Sequence, residues 1–363
     1  MMSLSDSSAL AHSESLRKII CDEIDCHGPI TFARYMEMAL YHPTFGYYRS
    51  STPKFGAAGD FITAPERSPL FSRCLARHCI PLFKETGAMV LEIGAGSGVL
   101  AVEFLLELER LAALPERYYI LELSGQLMAC QRALIETRIP HLLERVTWLQ
   151  QWPTSPLAGV VIANELFDAM PIHRFVMRDG IQEYYVTHAQ GQLQWHVASP
   201  SSSLLIEQLK NYGIDFAEGY SSEINLLLTP WMNSLGDVLG AAHLIFIDYG
   251  YKREAYYHPE RSMGTLMCHV QHQAHDDPLI YSGIQDITAH VDFTLVAEAA
   301  IGVGFDLVSF KTQAQFLMDA GITTLLSEET DVNKQIAYTS QIKQLLLPGQ
   351  MGEAFKVIEF SHS

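Results

Sequence analysis

The fold of this chain is decided by Val90-Leu91-Glu92-Ile93-Gly94-Ala95-Gly96-Ser97-Gly98-Val99-Leu100, which combines a buried strand, a three-glycine turn and the start of a helix. Gly94 and Gly96 let the backbone turn sharply and approach a ligand closely. The Ser97 side chain can bond the free amides that open the following helix. The stretch therefore predicts a nucleotide-binding turn in an open α/β fold.

The spacing of the small residues indicates which nucleotide the turn binds. A dinucleotide fingerprint reads G-x-G-x-x-G/A, and here Val99 stands where its third small residue is needed. The pattern Glu-x-Gly-x-Gly-x-Gly instead resembles motif I of the class I S-adenosylmethionine (SAM) methyltransferases, in which the turn passes under the amino-acid end of SAM. That resemblance implies that SAM is the cofactor and that its contacts include Glu92, Gly94, Ala95, Gly96 and Gly98. An ordinary tight strand–helix turn is the simpler interpretation of one glycine motif.

Further strands are predicted after the turn. Tyr118–Glu122 ends in a carboxylate at the position where a nucleotide-binding fold places the acceptor for ribose hydroxyls, so Glu122 is the predicted ribose ligand. A solvated carboxylate at a strand end is the alternative. Arg145–Leu149 and the apolar run Gly159–Ala163 have the composition of a third strand and of a buried parallel strand.

Several other blocks stand in a characteristic order: Pro29–Met36, Tyr41–Pro43, Phe45–Tyr48, Gly59–Glu66, Asn164–Pro171, Ile247–Tyr251, Gly264–Leu266, Asp277–Pro278, Asp286–Phe293 and Met351–Val357. Together with the glycine turn they resemble one family over nearly the whole chain, the MidA-type methyltransferases, whose mitochondrial members assist assembly of respiratory complex I. The resemblance implies SAM-dependent symmetric dimethylation of an arginine in a partner protein. In the mitochondrial case that partner is the 49-kDa-type subunit of complex I.

The block after the central strand supplies the candidate catalytic residues. Polar side chains there lie at the carboxyl edge of the sheet, where open α/β folds bind ligands, and amino-methylating class I enzymes commonly carry Asn or Asp at the position of Asn164. A guanidinium is protonated below a pKa of about 12, so a carboxylate has to orient it and help to remove a proton. Glu165 and Asp168 would form such a clamp if the chain curls into one helical turn. For Asp168, capping of the following turn is an equal alternative.

Two other segments are expected to face the site. Residues 42–66 carry several Pro and Gly residues and predict a long functional loop, in which Asp60 and Thr63 would contact SAM and Glu66 the substrate. Simple packing of this loop over the sheet is the alternative. The strand His243–Ile247 is predicted to end at Asp248, and Asp248 and Tyr249 are the remaining substrate-binding candidates.

Composition limits the partners. The 363-residue chain is 48% hydrophobic and 18% charged, enough for a sizeable core, and its net charge of −17 argues against nucleic acid. An acidic surface suits a cationic protein target, although solubility alone explains it equally well. No apolar run approaches the about 20 residues that span a membrane, and no targeting segment is recognised, so a cytoplasmic location is expected. A homodimer is allowed.

Cysteines and histidines require a check for metal. Six cysteines form no dense disulfide framework, and Cys268–His275 places Cys and His donors close together. No second ligand pair at zinc-site spacing accompanies them, so the expectation is that no metal is bound.

The expected architecture is α/β: a class I methyltransferase sheet, mostly parallel with an antiparallel C-terminal strand. We expect a helical extension and active-site loop over 1–80, the first half of the SAM-binding core over 81–171, an inserted β-rich substrate-docking subdomain over 172–236, and the second half of the core over 237–363. Two other functions stay open: a non-catalytic SAM-binding assembly factor and a nicotinamide-dinucleotide oxidoreductase. Val99 argues against the oxidoreductase.

Overall fold

Helices account for much of the chain, which is described by a computed structural model over residues 7–49, 63–271 and 273–362. Short 3₁₀ segments cover Tyr47–Arg49 and Pro140–Arg145. The α-helices are α1 Ser7–His27, α2 Phe32–Tyr41, α3 Ala64–Arg67, α4 Pro69–Thr86, α5 Val99–Arg110, α6 Gly125–Arg138, α7 Ser203–Asn211, α8 Leu228–Gly236, α9 Arg253–Tyr256, α10 Phe293–Gly302, α11 Gln313–Asp319, α12 Ile322–Glu328, α13 Val332–Leu346 and α14 Met351–Ala354.

Within the described residues, the strands belong to three sheets. They are β1 Ile30–Thr31, β2 Met89–Ile93, β3 Arg117–Leu121, β4 Val146–Leu149, β5 Leu157–Asn164, β6 His173–Met177, β7 Ile181–Ala189, β8 Gln192–Ala198, β9 Ser221–Ile224, β10 Leu239–Tyr251, β11 Met267–Val270, β12 Gln273–His275, β13 Asp286–Thr288, β14 Val291–Asp292, β15 Asp306–Thr312 and β16 Phe355–His362.

The chain's contacts divide it into two compact units. The first comprises the described parts of 1–54, 167–230 and 251–292, and the second the described parts of 55–166, 231–250 and 293–363. The four ranges expected from the sequence are not tested by this division and stay a prediction. Among the described residues, no helix is both long enough and apolar enough to cross a bilayer.

The second unit contains the predicted mixed sheet, in the order β15-β16-β10-β5-β2-β3-β4. Strands β10, β5, β2, β3 and β4 pair in parallel, whereas β16 runs antiparallel to both β10 and β15. Parallel strands covered on both faces have to be apolar throughout, and β5 is accordingly buried over Gly159–Ala163. The α/β fold class with its antiparallel C-terminal strand is confirmed.

Apolar helix faces cover this sheet. Phe71 and Leu75 of α4 and Phe104 of α5 have no exposed surface and belong to the same core cluster as Val90 and Ile162. Gly159 permits the close approach of β5 to β2, because a Cβ there would lie 2.1 Å from the Met89 carbonyl oxygen. Strand β2, which leads into the glycine turn, is therefore held by this helix packing and by the close approach of β5.

The first unit is built from antiparallel strands and the two N-terminal helices. Strand β7 pairs with β1, β6 and β8, and β9 pairs with β6. A second small sheet has the order β12-β11-β13. Strands β6, β7 and β8 lie within the range 172–236 that the sequence predicts to be β-rich, and Asp179 and Gly180, both with positive φ, form the turn between β6 and β7.

Two local predictions are wrong. Strand β10 does not end before Asp248 but continues to Tyr251, because pairing with β16 extends through Asp248 and Tyr249. The residues after β5 do not form a helical turn, because Glu165 has a left-handed φ of 53° and no helix covers 165–168.

Candidate functional site

The glycine turn joins β2 to α5 at the carboxyl end of the parallel sheet. Gly94, Gly96 and Gly98 have φ values of 72°, 53° and 86°, which residues with a Cβ adopt only at a cost. A Cβ at Gly94 would lie 3.2 Å from Leu166 Cδ1, and one at Gly98 would lie 3.2 Å from Gln131 Cγ. The turn is therefore a cradle that side chains would fill, and both Gly94 and Gly96 are partly exposed.

Ser97 links the turn to α3. Its hydroxyl accepts from the Val99 amide at 3.4 Å and donates to the Glu66 carboxylate. The first contact supports the expectation that Ser97 serves the helix start. Glu66 therefore lies against the glycine turn, and Thr63 is buried at the start of the same short helix. Asp60 lies outside the described residues.

Glu122 follows β3 and is buried, with 7% of its surface exposed. Its Oε1 accepts from the Ser124 amide at 2.8 Å, and its Oε2 accepts from Gln131 Nε2 at 3.2 Å. The backbone amide of Glu122 also bonds the Leu149 carbonyl at 3.0 Å, which fixes the strand end. A fixed carboxylate beside the glycine turn is the arrangement that the ribose-ligand prediction requires.

Gln131 is the residue that the sequence analysis missed. It is fully buried on α6, donates to the Gly96 carbonyl at 2.9 Å and to Glu122, and accepts from Trp148 Nε1 at 2.9 Å. No motif marks it. Its only signal is a glutamine on the one buried face of a helix that is otherwise largely polar, where a buried amide has to find partners.

Glu92 lies below the turn in the sheet interior and is 3% exposed. Its Oε2 accepts the Tyr118 hydroxyl at 2.8 Å. Burial, together with the nearby Glu122 charge, raises the pKa of Glu92 to about 7, although the Tyr118 hydrogen bond acts in the opposite direction. Glu92 is thus fixed within β2, shortly before the turn, and Ala95 is buried in the turn itself.

The catalytic candidates of the second unit stand directly after β5. Asn164 Nδ2 donates to Glu165 Oε1 at 3.2 Å, and the Glu165 amide bonds the Ile247 carbonyl of β10 at 2.8 Å. The neighbouring Leu166 packs beside Gly94. The structure therefore brings Asn164 and Glu165 to the edge of the sheet that carries the glycine turn, with Glu165 in a strained backbone conformation typical of functional sites.

Asp168 belongs to the first unit. It is 6% exposed, and its carbonyl accepts from the Ala289 amide at 3.0 Å, while the Tyr41 hydroxyl donates to the neighbouring Ala169 carbonyl at 2.8 Å. These contacts hold the turn in which Met170 bonds back to Phe167. Because the intervening backbone is not helical, Asp168 does not share a helix face with Glu165 as the sequence prediction assumed.

The remaining two candidates lie inside β10. Asp248 is 1% exposed and its Oδ1 accepts from the Tyr249 amide at 2.8 Å, while the Tyr249 ring packs on Phe355 at 5.4 Å. Both residues are thus part of the paired sheet, and their role in substrate binding stays a prediction.

The sheet order, the cradle and the fixed carboxylate define a nucleotide-binding α/β protein of the class I methyltransferase type. A crystal structure of a Burkholderia thailandensis protein bound to S-adenosyl-homocysteine matches with a TM-score of 0.95 and 39% identity, covering 100% of this chain and 95% of that one. A second crystal structure from the same organism matches with a TM-score of 0.92 and 38% identity, over 100% and 95% of the two chains.

Residues 74–311 match the model of a family described as "Putative S-adenosyl-L-methionine-dependent methyltransferase". The chain belongs to this family of SAM-dependent methyltransferases. It is also 28% identical to "Protein arginine methyltransferase NDUFAF7, mitochondrial" of Danio rerio, over 95% of this chain and 86% of the relative. The protein of the same name in Homo sapiens is 27% identical, over 92% and 80%.

Family membership confirms the predicted enzyme class and its cofactor, and the matching relatives are methyltransferases rather than oxidoreductases. The residues present fit SAM. The glycine cradle leaves room for backbone contact, and a buried, oriented carboxylate stands beside it at Glu122. The assignment of individual residues to SAM stays a prediction.

Proposed function

We propose that this chain methylates an arginine side chain of a partner protein. The observation that carries the proposal is the strained, partly exposed Glu165, held by the Ile247 carbonyl and by Asn164 beside the glycine turn. The names of the relatives, which are protein arginine methyltransferases, support the choice of acceptor. The acidic composition is compatible with a cationic target.

The chemistry requires a carboxylate at this place. SAM supplies an electrophilic methyl group on a sulfonium, and transfer forms a nitrogen–carbon bond while the sulfur–carbon bond breaks and the guanidinium loses one proton. Glu165 would orient the guanidinium, localise a nitrogen lone pair and accept that proton. Asn164 would hold the Glu165 carboxylate through its amide. Alignment in a water-poor site supplies much of the remaining rate.

Other residues have supporting roles in this proposal. Glu92, Gly94, Ala95, Gly96, Gly98, Glu122, Thr63 and Asp60 are assigned to SAM, Glu66, Asp248 and Tyr249 to the substrate, and Asp168 to catalysis. Ser97 supports the assignment of Glu66, because it joins Glu66 to the turn. The client is proposed to be a respiratory complex I subunit, as the family resemblance implies, and the location to be cytoplasmic. A homodimer stays a prediction.

The test is to incubate the purified protein with methyl-labelled SAM and lysate from a strain that lacks it, and to identify labelled peptides by mass spectrometry. We expect symmetric dimethylarginine in one or a few proteins. Glu165→Gln should lower the initial rate by about 100-fold or more while leaving S-adenosylhomocysteine affinity nearly unchanged.

The matched control is Glu85→Gln. Glu85 is an exposed carboxylate near the end of α4, before β2 begins and therefore at the opposite end of the sheet from the turn. This variant should retain full activity. Label on a different residue type, or full activity of Glu165→Gln, contradicts the proposal. Binding of SAM with no labelled product would favour the binding-only assembly role.

A further inference from the structure

Two histidines and one glutamate converge in the core of the second unit, away from the glycine turn. His78 of α4, His243 of β10 and Glu359 of β16, which we call the His–His–Glu cluster, place one donor atom each within 4.8 Å of one another. His78 Nε2 lies 2.6 Å and His243 Nε2 3.1 Å from the same atom, Glu359 Oε2. The methyl-transfer proposal uses none of these residues.

The fold fixes all three side chains. In the antiparallel pairing of β10 with β16, Glu359 lies opposite Ile245, so His243 is its diagonal neighbour on the same sheet face. On the other edge of β16, Glu359 lies opposite Ser309, whose hydroxyl donates to Glu359 Oε1 at 2.7 Å. The His78 ring reaches the cluster from α4, where it packs edge-on against Phe316 at 4.9 Å.

The carboxylate of the cluster and one of its imidazoles are buried. Glu359 is 3% and His243 4% exposed. The Glu359 carboxylate contacts both imidazoles and the Ser309 hydroxyl. A carboxylate that is buried this deeply needs a positively charged or hydrogen-bonding partner.

We propose that the His–His–Glu cluster is a binding site for a divalent transition-metal cation of the zinc type, with His78 Nε2, His243 Nε2 and a Glu359 carboxylate oxygen as ligands. Two imidazoles and one carboxylate are a recognised donor set for zinc, with water as the fourth ligand. Ligand atoms about 2.1 Å from a tetrahedral ion lie roughly 3.4 Å apart, so small side-chain rotations suffice. Ser309 would orient the carboxylate from outside.

This site departs from the expectation that no metal is bound. That expectation rested on spacing, and the donors here come from three elements that are distant along the chain, joined only by the sheet register. Partial exposure of the His78 side chain, 28%, gives an ion a route from solvent. The competing explanation is a cluster that binds protons alone.

The experiment is a calorimetric titration of the chelator-treated 363-residue chain with Zn²⁺ near neutral pH, together with melting temperatures with and without the ion. We expect one ion per chain and a higher melting temperature with zinc. His243→Gln and His78→Gln should each weaken binding by about 100-fold or more and abolish the thermal shift. Affinity should fall at low pH, because protons compete for the imidazoles.

The matched control is His173→Gln. His173 makes a similar contact with a buried carboxylate, Nδ1 to Glu183 Oε1 at 2.7 Å, but within the described residues it has no second imidazole in such a group. This variant should bind zinc like the unchanged protein. If His243→Gln fails to fold, as judged by circular dichroism, the partly exposed His78→Gln decides the question. Absence of saturable binding, or equal binding in His78→Gln, overturns the proposal.

Discussion

The Tyr118 hydroxyl donates to the Glu92 carboxylate across two adjacent parallel strands, at 2.8 Å and out of contact with solvent. The register places Val90 opposite Tyr118, so Glu92 lies two residues further along the neighbouring strand on the same face. The acidic residue of the glycine motif is therefore an internal part of the sheet. Its ionisation is coupled to the stability of the fold.

Stability should depend on pH through Glu92. The pKa of about 7 in the folded protein lies above the usual value of 4.5, so the fold binds this proton more tightly than the unfolded chain does. The stabilisation that comes from this tighter proton binding is complete below about pH 4.5 and is lost as pH rises through about 7. Glutamine stays neutral at every pH. The free energy of unfolding of Glu92→Gln should therefore rise by about 3 kcal/mol relative to that of the wild type between about pH 4 and pH 8.

Urea unfolding of both proteins over that pH range measures this difference. Glu116→Gln serves as the control, since Glu116 is an exposed carboxylate just before β3. A constant difference between Glu92→Gln and the wild type across the range would show that folding does not shift the pKa of Glu92.

Crowding at the glycine turn can be separated from backbone strain. Gly98 and Gly213 both have positive φ, 86° and 64°, but a Cβ at Gly98 meets Gln131 while one at Gly213 meets open space. Gly213→Ala should cost about 1 kcal/mol from strain alone. Gly98→Ala should cost roughly 1 to 3 kcal/mol more, because it displaces Gln131. If denaturant unfolding shows that both variants lose the same free energy of unfolding, the Gln131 side chain moves aside at no cost.

Glu122→Gln tests the ribose assignment. The amide oxygen can still accept from the Ser124 amide, but the negative charge and one acceptor are lost. Loss of a hydrogen bond to a charged group costs about 1.5 to 3 kcal/mol, so S-adenosylhomocysteine should bind roughly tenfold to 100-fold more weakly. Calorimetry measures this, with Glu116→Gln as the control. Unchanged affinity would place Glu122 outside the nucleotide contacts.

Glu165 should show a trade-off between stability and activity. Its φ of 53° is costly for a residue with a Cβ, so Glu165→Gly should stabilise the fold by about 0.5 to 1 kcal/mol while removing activity. Gln190, with a φ of 52° in the turn between β7 and β8, is the matched position. Gln190→Gly should gain similar stability and keep full activity in the methylation assay. A destabilised Glu165→Gly would show that contacts of the side chain outweigh the strain.

The sequence was sufficient for the sheet, because glycine spacing and short apolar runs depend on neighbouring residues. It predicted β2, β3, β5 and the antiparallel C-terminal strand correctly. It missed the extension of β10 past Asp248, since that depends on pairing with a strand about a hundred residues later. The left-handed turn at Glu165 was also hidden, because glutamate gives no local signal for positive φ.

For the site residues too, sequence reasoning reached only those that a local motif marks. Glu92, Glu122 and the three glycines could be selected from one motif and the strand that follows it. Gln131 and the His–His–Glu cluster could not be selected in this way, because their partners lie on separate elements and no regular spacing in the sequence marks them. The four predicted domain ranges and the roles of the site residues stay predictions.

One amide side chain has a consequence for how a ligand is received. Gln131 bonds the Gly96 carbonyl, the Glu122 carboxylate and the Trp148 indole, which belong to the regions of three successive strands. These groups cannot shift independently, so their spacing is set before any ligand arrives and little ordering entropy remains to be lost on binding. Tight binding here would come from an arrangement that exists before the ligand binds, because one glutamine fixes the distances between all three groups.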